Sequence, residues 1–151
     1  MTRVKSSRLQ LIQLMSLKVN VNGTGLLAVI DTGSPITILT PNAAKKAMIQ
    51  IQEKQMDDDE LLIRGVDEKF MAVNRSLSEV SISVTGDRNS TISFGNGFVY
   101  VCDLPGFSQM SNLSDEIRLP DVVFGLDFLN RMHRMIVRVL DEELWFQENS
   151  I

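Results

Sequence analysis

From Leu14 to Val21 apolar and polar positions alternate: Leu17, Val19 and Val21 fall on one face, Ser16, Lys18 and Asn20 on the other. A period of two predicts a half-buried strand. Asn22-Gly23 is the strongest hairpin turn in the chain and hands over to a second strand, Leu26–Ile30. Ile36–Leu39 reads as another. Thr40-Pro41 is a helix start, with Thr40 as N-cap and Pro41 in the first helical position, and predicts a short helix over Ala43–Ile51. Leu61 to Val73 reads as two strands joined by a polar tip. Ser78–Thr85 alternates again, with Val80, Ile82 and Val84 inward. Thr91–Phe94 and Phe98–Cys102 predict two more strands, separated by Gly95-Asn96-Gly97. Leu104–Pro120 is rich in Pro, Gly, Ser and Asn and reads as a long loop. Met135–Leu140 and Leu144–Phe146 predict a terminal hairpin, whose Trp145 and Phe146 require burial against another element or another subunit. Residues 1–12 fit a tail, a linker or an edge strand. The domain is bounded at 14–148, which leaves 1–13 as an N-terminal tail or linker.

Composition narrows the picture. The 151 residues suit one domain with a real core. A net charge of −4, with the basic residues dispersed, argues against a nucleic-acid surface. The densest basic cluster, Arg131 to Arg138, is broken by Met132, Met135, Ile136 and Val137. Leu9 to Met15 is interrupted by Gln10 and Gln13 and does not read as a signal peptide. No apolar run approaches transmembrane length, so no membrane association is expected. Cys102 is the one cysteine, which rules out an internal disulfide and favours a reducing, cytoplasmic compartment. Four N-x-S/T sequons, at Asn22, Asn74, Asn89 and Asn112, would matter only on a secretory route.

The candidate chemistry lies in Leu26-Leu27-Ala28-Val29-Ile30-Asp31-Thr32-Gly33-Ser34-Pro35-Ile36-Thr37-Ile38-Leu39. An apolar run delivers an acid, a small hydroxyl residue and a glycine before a second apolar run. A carboxylate at the end of a buried strand is costly unless something holds it. Gly33 allows a tight turn with no side chain over the acid.

This stretch resembles the active-site loop of the aspartic proteases, apolar-apolar-Asp-Thr/Ser-Gly-Ser/Ala. The resemblance is strengthened by Asp121-Val122-Val123-Phe124-Gly125-Leu126-Asp127-Phe128-Leu129. In the one-domain, retropepsin-like branch an apolar-apolar-Gly segment packs beside the active-site loop and leads into a short helix. Val123-Phe124-Gly125 stands in that place, with Leu126–Met132 as the helix. Gly-Leu-Asp-Phe-Leu is similar to the protease-like domain of the DNA-damage-inducible ubiquitin-shuttle proteins. The resemblance implies an all-β, closed acid-protease barrel with one or two short helices, assembled as a two-fold homodimer on a polypeptide substrate. It implies Asp31, Thr32 and Gly33 as catalytic, and Ser34, Gly65 and Val66 as substrate-binding. Gly65 matches a glycine of the flap hairpin that closes over substrate, although the Asp67-Glu68-Lys69 tip is more charged than is usual there. Partners in the ubiquitin pathway are implied by the subfamily resemblance alone. A Ser34 hydroxyl donating to the Asp31 carboxylate would favour its ionised form and activity at lower pH.

Paired-carboxylate hydrolysis needs two facing acids that share a proton. Asp121 and Asp127 lack the Thr/Ser-Gly sequel, so the second acid is expected to be Asp31 of another copy. Two other readings compete: a catalytically weak retropepsin-fold dimerisation or peptide-binding module, and a mobile-element protease that cuts its own chain near Arg8–Met15. No cofactor or metal is expected. Gly23-Thr24-Gly25-Leu26-Leu27-Ala28 fits a dinucleotide fingerprint, but the β-rich run that follows leaves no room for the required helix. The acids at 57–60 read as a solvated loop rather than a cation site. His133 reads as a surface residue and Cys102 as core.

Overall fold

The computed structural model describes residues 1–8, 14–52, 62–64, 70–103 and 119–149. β3 (Met15–Val21) and β4 (Thr24–Ile30) form the expected hairpin, turned by Asn22 at φ 49° and Gly23 at φ 84°. Positive φ at both central residues matches the twist of the flanking strands. Asn22 also ties the turn to a neighbour: its N–H donates to Ser81 O and its Oδ1 accepts from Ser81 N, each at 2.9 Å. Leu17, Val19 and Val21 are buried and Lys18 is exposed, as the alternation predicts. Ser16, expected on the polar face, is buried as well, because its hydroxyl finds partners in Ser7 Oγ and Ser7 O, each at 3.0 Å.

Ser7 belongs to the segment left open between tail, linker and edge strand, and it takes the strand form. β1 (Thr2–Val4) and β2 (Ser6–Arg8) are strands. β2 pairs with β3, while β1 pairs with β14 (Glu143–Gln147) at the far end of the chain. A strand partner so distant leaves no local periodicity to read.

After β5 (Ile38–Leu39), Thr40 caps α1 (Pro41–Lys46), its Oγ1 accepting from Ala43 N at 3.2 Å. α1 is shorter than expected. Met48 turns left-handed at φ 56°, Ile49 N donates to Ala44 O, and Met48 N donates to Lys45 O. These are the bonds of a Schellman ending. The chain continues through the hairpin arms β6 (Leu62–Arg64) and β7 (Phe70–Ala72), then β8 (Asn74–Arg75), β9 (Val80–Thr85), β10 (Thr91–Gly97), β11 (Tyr100–Val101), β12 (Val122–Phe124), α2 (Leu126–Leu129) and β13 (Arg134–Arg138). The acids at 57–60 and residues 104–118 of the expected loop lie outside the described residues.

Among the described residues most strands join one sheet in the order β10-β9-β3-β4-β12-β5-β11-β8, with β2 beside β3. β10 and β8 end this open half-barrel. The decisive feature is β12. It inserts between β4 and β5, parallel to the first (Val122↔Ala28, Val123↔Val29, Phe124↔Ile30) and antiparallel to the second. Strands covered on both faces carry continuous apolar runs, as Leu26–Ile30 and Val122–Phe124 do. One face of the three strands (Ala28, Ile30, Leu39, Val122, Phe124) joins the main core. The other (Val29, Ile38, Val123) packs with Val73 and Cys102 in a second cluster, flanked by Ile36 and Tyr100. Phe94 meets Phe124 and Phe146 edge-on at 4.9 and 5.2 Å, and Phe128 stacks on Phe124. Aromatic pairs favour these offset arrangements. The terminal hairpin β13–β14 forms as expected and, with β1, makes a three-stranded sheet in which Phe146 is buried and Trp145 half-buried.

β10 runs on to Gly97, past the break expected at Gly95. Gly95 adopts φ 77° and the register with β9 shifts between Ser93 and Gly95, a bulge. Arg131 holds it: Nη1 donates to Phe94 O at 2.9 Å and to Asn96 O at 2.7 Å, and the guanidinium lies 4.5 Å from the Phe128 ring centroid. Arg131→Ala is expected to cost about 1–2 kcal/mol, because the two charge-assisted bonds lie at a partly exposed edge. A urea midpoint equal to that of the parent protein would refute this clamp.

Candidate active site

β4 is buried through Ala28, Val29 and Ile30 and ends at Asp31. Val29, two residues before Asp31, packs in the second apolar cluster. Val73, directly after the β6–β7 hairpin, packs in that cluster. Asp31 N donates to Phe124 O at 3.1 Å, and Ser34 N to Asp31 O at 3.1 Å, which closes the turn. The carboxylate accepts from Gly33 N at Oδ1, 2.9 Å. A Cβ on Gly33 would stand 3.2 Å from that oxygen, so glycine keeps the acid uncrowded. Asp31 is half-buried, and Thr32 and Gly33 are exposed.

Ser34 differs from expectation. Its Oγ donates to Ile36 O at 2.6 Å, so the hydroxyl's one proton serves the loop backbone rather than the Asp31 carboxylate. Gly65 and Val66, expected as substrate-binding, lie outside the described residues. The arms that flank them are paired through Arg64↔Phe70.

The second motif grips the loop from below. Leu126 N donates to Ser34 O at 2.8 Å and Gly125 N to Thr37 Oγ1 at 3.0 Å. Thr37 is completely buried; its N–H reaches Asp127 Oδ2 at 2.9 Å and its hydroxyl donates to Asp127 Oδ1 at 2.7 Å. Phe128 N adds a third donor to Asp127, at 2.9 Å. Asp121 is likewise engaged: Leu27 N donates to its Oδ2 at 3.1 Å, its own N–H donates to Leu27 O at 2.7 Å, and its O accepts from Thr40 N at 3.0 Å. Asp121 therefore ties the approach to β12 to β4, Asp127 ties α2 to the loop at Thr37, and the Asp31 carboxylate bonds within its own turn. Thr37 escaped the sequence reading. The available signal was a hydroxyl inside an apolar strand, which has to find a partner when buried.

The remaining candidates settle simply. Cys102 is buried, and that burial, followed by the Asp103 carboxylate, pushes its thiol up from the ordinary range. A raised thiol is a poor nucleophile. His133 is exposed, and its N–H donates to Gln147 O at 2.8 Å. β4 occupies the stretch where a dinucleotide fingerprint would need a helix.

Among solved structures, the retroviral protease-like domain of Ddi1 from Leishmania major is similar at 14% identity and TM-score 0.50, covering 88% of this chain and 87% of that one. The EIAV protease, in complex with the inhibitor HBY-793, matches at 17% identity and TM-score 0.49, over 80% of this chain and 89% of that one. A retropepsin-like aspartic protease from Rickettsia conorii matches at 17% identity and TM-score 0.43, over 91% and 88%. No curated protein sequence matches significantly. The Leishmania domain supports the fold, a retropepsin-like one. The sequence supports the family directly: the aspartyl protease model matches residues 17–128, a span that holds the Asp31 loop, β12 and the Gly125 turn that grips it, and the chain belongs to the aspartyl protease family.

Proposed function

We propose that this chain is an aspartic endopeptidase that hydrolyses peptide bonds with a water activated by two Asp31 carboxylates, one from each copy of a two-fold homodimer. The observation that carries the reading is the setting of Asp31: it follows a buried strand at the head of an exposed turn and bonds within that turn, while Asp121 is engaged with β4 and Asp127 with Thr37. Among the described motif acids one copy offers one such carboxylate, and the chemistry needs two.

Two facing carboxylates cannot both ionise, so they share a proton. The ionised member takes a proton from the water, whose oxygen attacks the scissile carbonyl carbon. The protonated member gives its proton to the carbonyl oxygen. Collapse of the tetrahedral intermediate breaks the C–N bond as the first carboxyl passes the water's proton to the leaving nitrogen and the second carboxylate takes one from a hydroxyl of the intermediate, which restores the shared proton. In this reading Thr32 braces the two loops across the axis, Gly33 leaves room for the water, and Ser34, Gly65 and Val66 border the groove. The closed barrel, the dimer and a reducing, cytoplasmic setting belong to the same proposal.

The test is cleavage of a diverse peptide library by micromolar protein from about pH 3.5 to 7. Discrete cuts between apolar residues are expected. No cut at any pH, with a dimer confirmed in the same samples, would overturn the hydrolase reading in favour of a peptide-binding module.

A further inference from the structure

A buried hydroxyl is costly unless both its proton and its lone pairs are used. Thr37 uses them across two chain segments: it accepts from Gly125 N and donates to Asp127 Oδ1, while its N–H donates to Asp127 Oδ2. Asp127 thus accepts at both oxygens, with Phe128 N as a further donor to Oδ1. Only a carboxylate fits this position fully. An asparagine would keep one acceptor oxygen and turn an N–H₂ group toward a donor. The pair closes the foot of the loop that begins at Asp31. The head of that loop is held by Asp31 N to Phe124 O and its middle by Leu126 N to Ser34 O, while Thr32, Gly33 and Pro35 are exposed.

We infer that Thr37 and Asp127 are positioning residues, a strut that sets where the Asp31 carboxylate stands against the Gly125 segment. The inference rests on the proposed role of Asp31. Nothing in either side chain touches a reacting atom. Their effect passes through the loop of residues 31–37, where a displacement of about 1 Å is worth roughly 10²-fold in rate.

The experiment compares Thr37→Val, which keeps the shape and removes the hydroxyl, with Thr37→Ser, which restores it, and with Asp127→Asn. Two readouts are taken on the full chain: kcat and KM on one cleaved peptide, and amide hydrogen exchange at residues 31–37 and at Val80–Thr85. Thr37→Val is expected to lower kcat by about 10–100-fold with KM changed less than about threefold, and Thr37→Ser to recover most of the loss. Exchange at residues 31–37 should accelerate at least about tenfold while Val80–Thr85 holds its protection. Equal acceleration in both segments, or unchanged kcat, overturns the strut. If Thr37→Val does not fold, Asp127→Asn, at a half-buried position, is judged by the same criteria. If the parent protein cleaves nothing, exchange alone decides: selective opening of 31–37 upholds the strut while the hydrolase reading falls, and unchanged exchange removes the strut as well.

Discussion

Asp31→Asn is expected to lower kcat/KM for any cleaved peptide by at least about 10³-fold, the scale on which a positioned acid or base acts. The substitution is close to isosteric. Its side-chain oxygen keeps the bond from Gly33 N seen at 2.9 Å, so the turn should retain its shape. What disappears is the capacity to hold and release a proton. The exposed Thr32 and Gly33 are unchanged, so the proposed association of copies should persist, and sedimentation at the assay concentration provides the control. Loss of turnover with an intact dimer isolates the chemistry. Residual activity within about tenfold of the parent protein would mean that another group does the work, because carboxylate pairs act as a unit.

Gly125→Ala should have the largest effect on stability, a loss of about 3–5 kcal/mol, as overpacking against rigid atoms adds to the breaking of buried hydrogen bonds. Gly125 has φ −101°, which any residue can adopt, so the requirement is for space and not for conformation. A Cβ there would lie 2.2 Å from Ile36 O, 2.6 Å from Ile36 C and 2.7 Å from Ser34 O. All three are backbone atoms and cannot swing away. To make room, the start of α2 must withdraw from the loop, which stretches both Leu126 N to Ser34 O and Gly125 N to Thr37 Oγ1. Urea unfolding reads the loss directly. A variant within about 1 kcal/mol of the parent protein would show that the junction yields, contrary to its packing.

Local chemistry was legible in the chain. The alternation at Leu17, Val19 and Val21 marks a half-buried strand wherever it sits. Asn22-Gly23 specifies a turn through two positive φ angles. Thr40-Pro41 starts a helix, since the cap bond to Ala43 spans three residues. The Asp31-Thr32-Gly33 stretch announced an acid on a tight turn for the same reason: the donor to its carboxylate is two residues away. Each of these rests on forces acting within a few bonds of the backbone, and a sequence displays neighbours in order.

The tertiary structure decided whatever depends on remote partners. Pairing of β12 with β4 joins residues more than ninety positions apart, and nothing in Val122–Phe124 names Ala28–Ile30 as the neighbour. β1 and β2 carry too few apolar residues to declare themselves; they are strands because β14 and β3 present open edges to them. Arg131 reads as a surface cation until Phe94 O and Asn96 O are seen within its reach, where it lets β10 run on through a bulge. Ser34 had two acceptors to choose from, and the carbonyl of Ile36 at 2.6 Å took its proton. Thr37 and Asp127 are ninety residues apart, and the burial of Thr37 forces its hydroxyl to find that partner. The sequence by itself determined which acid is presented and on what turn. Only the fold decided which side chains hold that turn in place, because the cost of an unpaired polar group is set once water has been excluded.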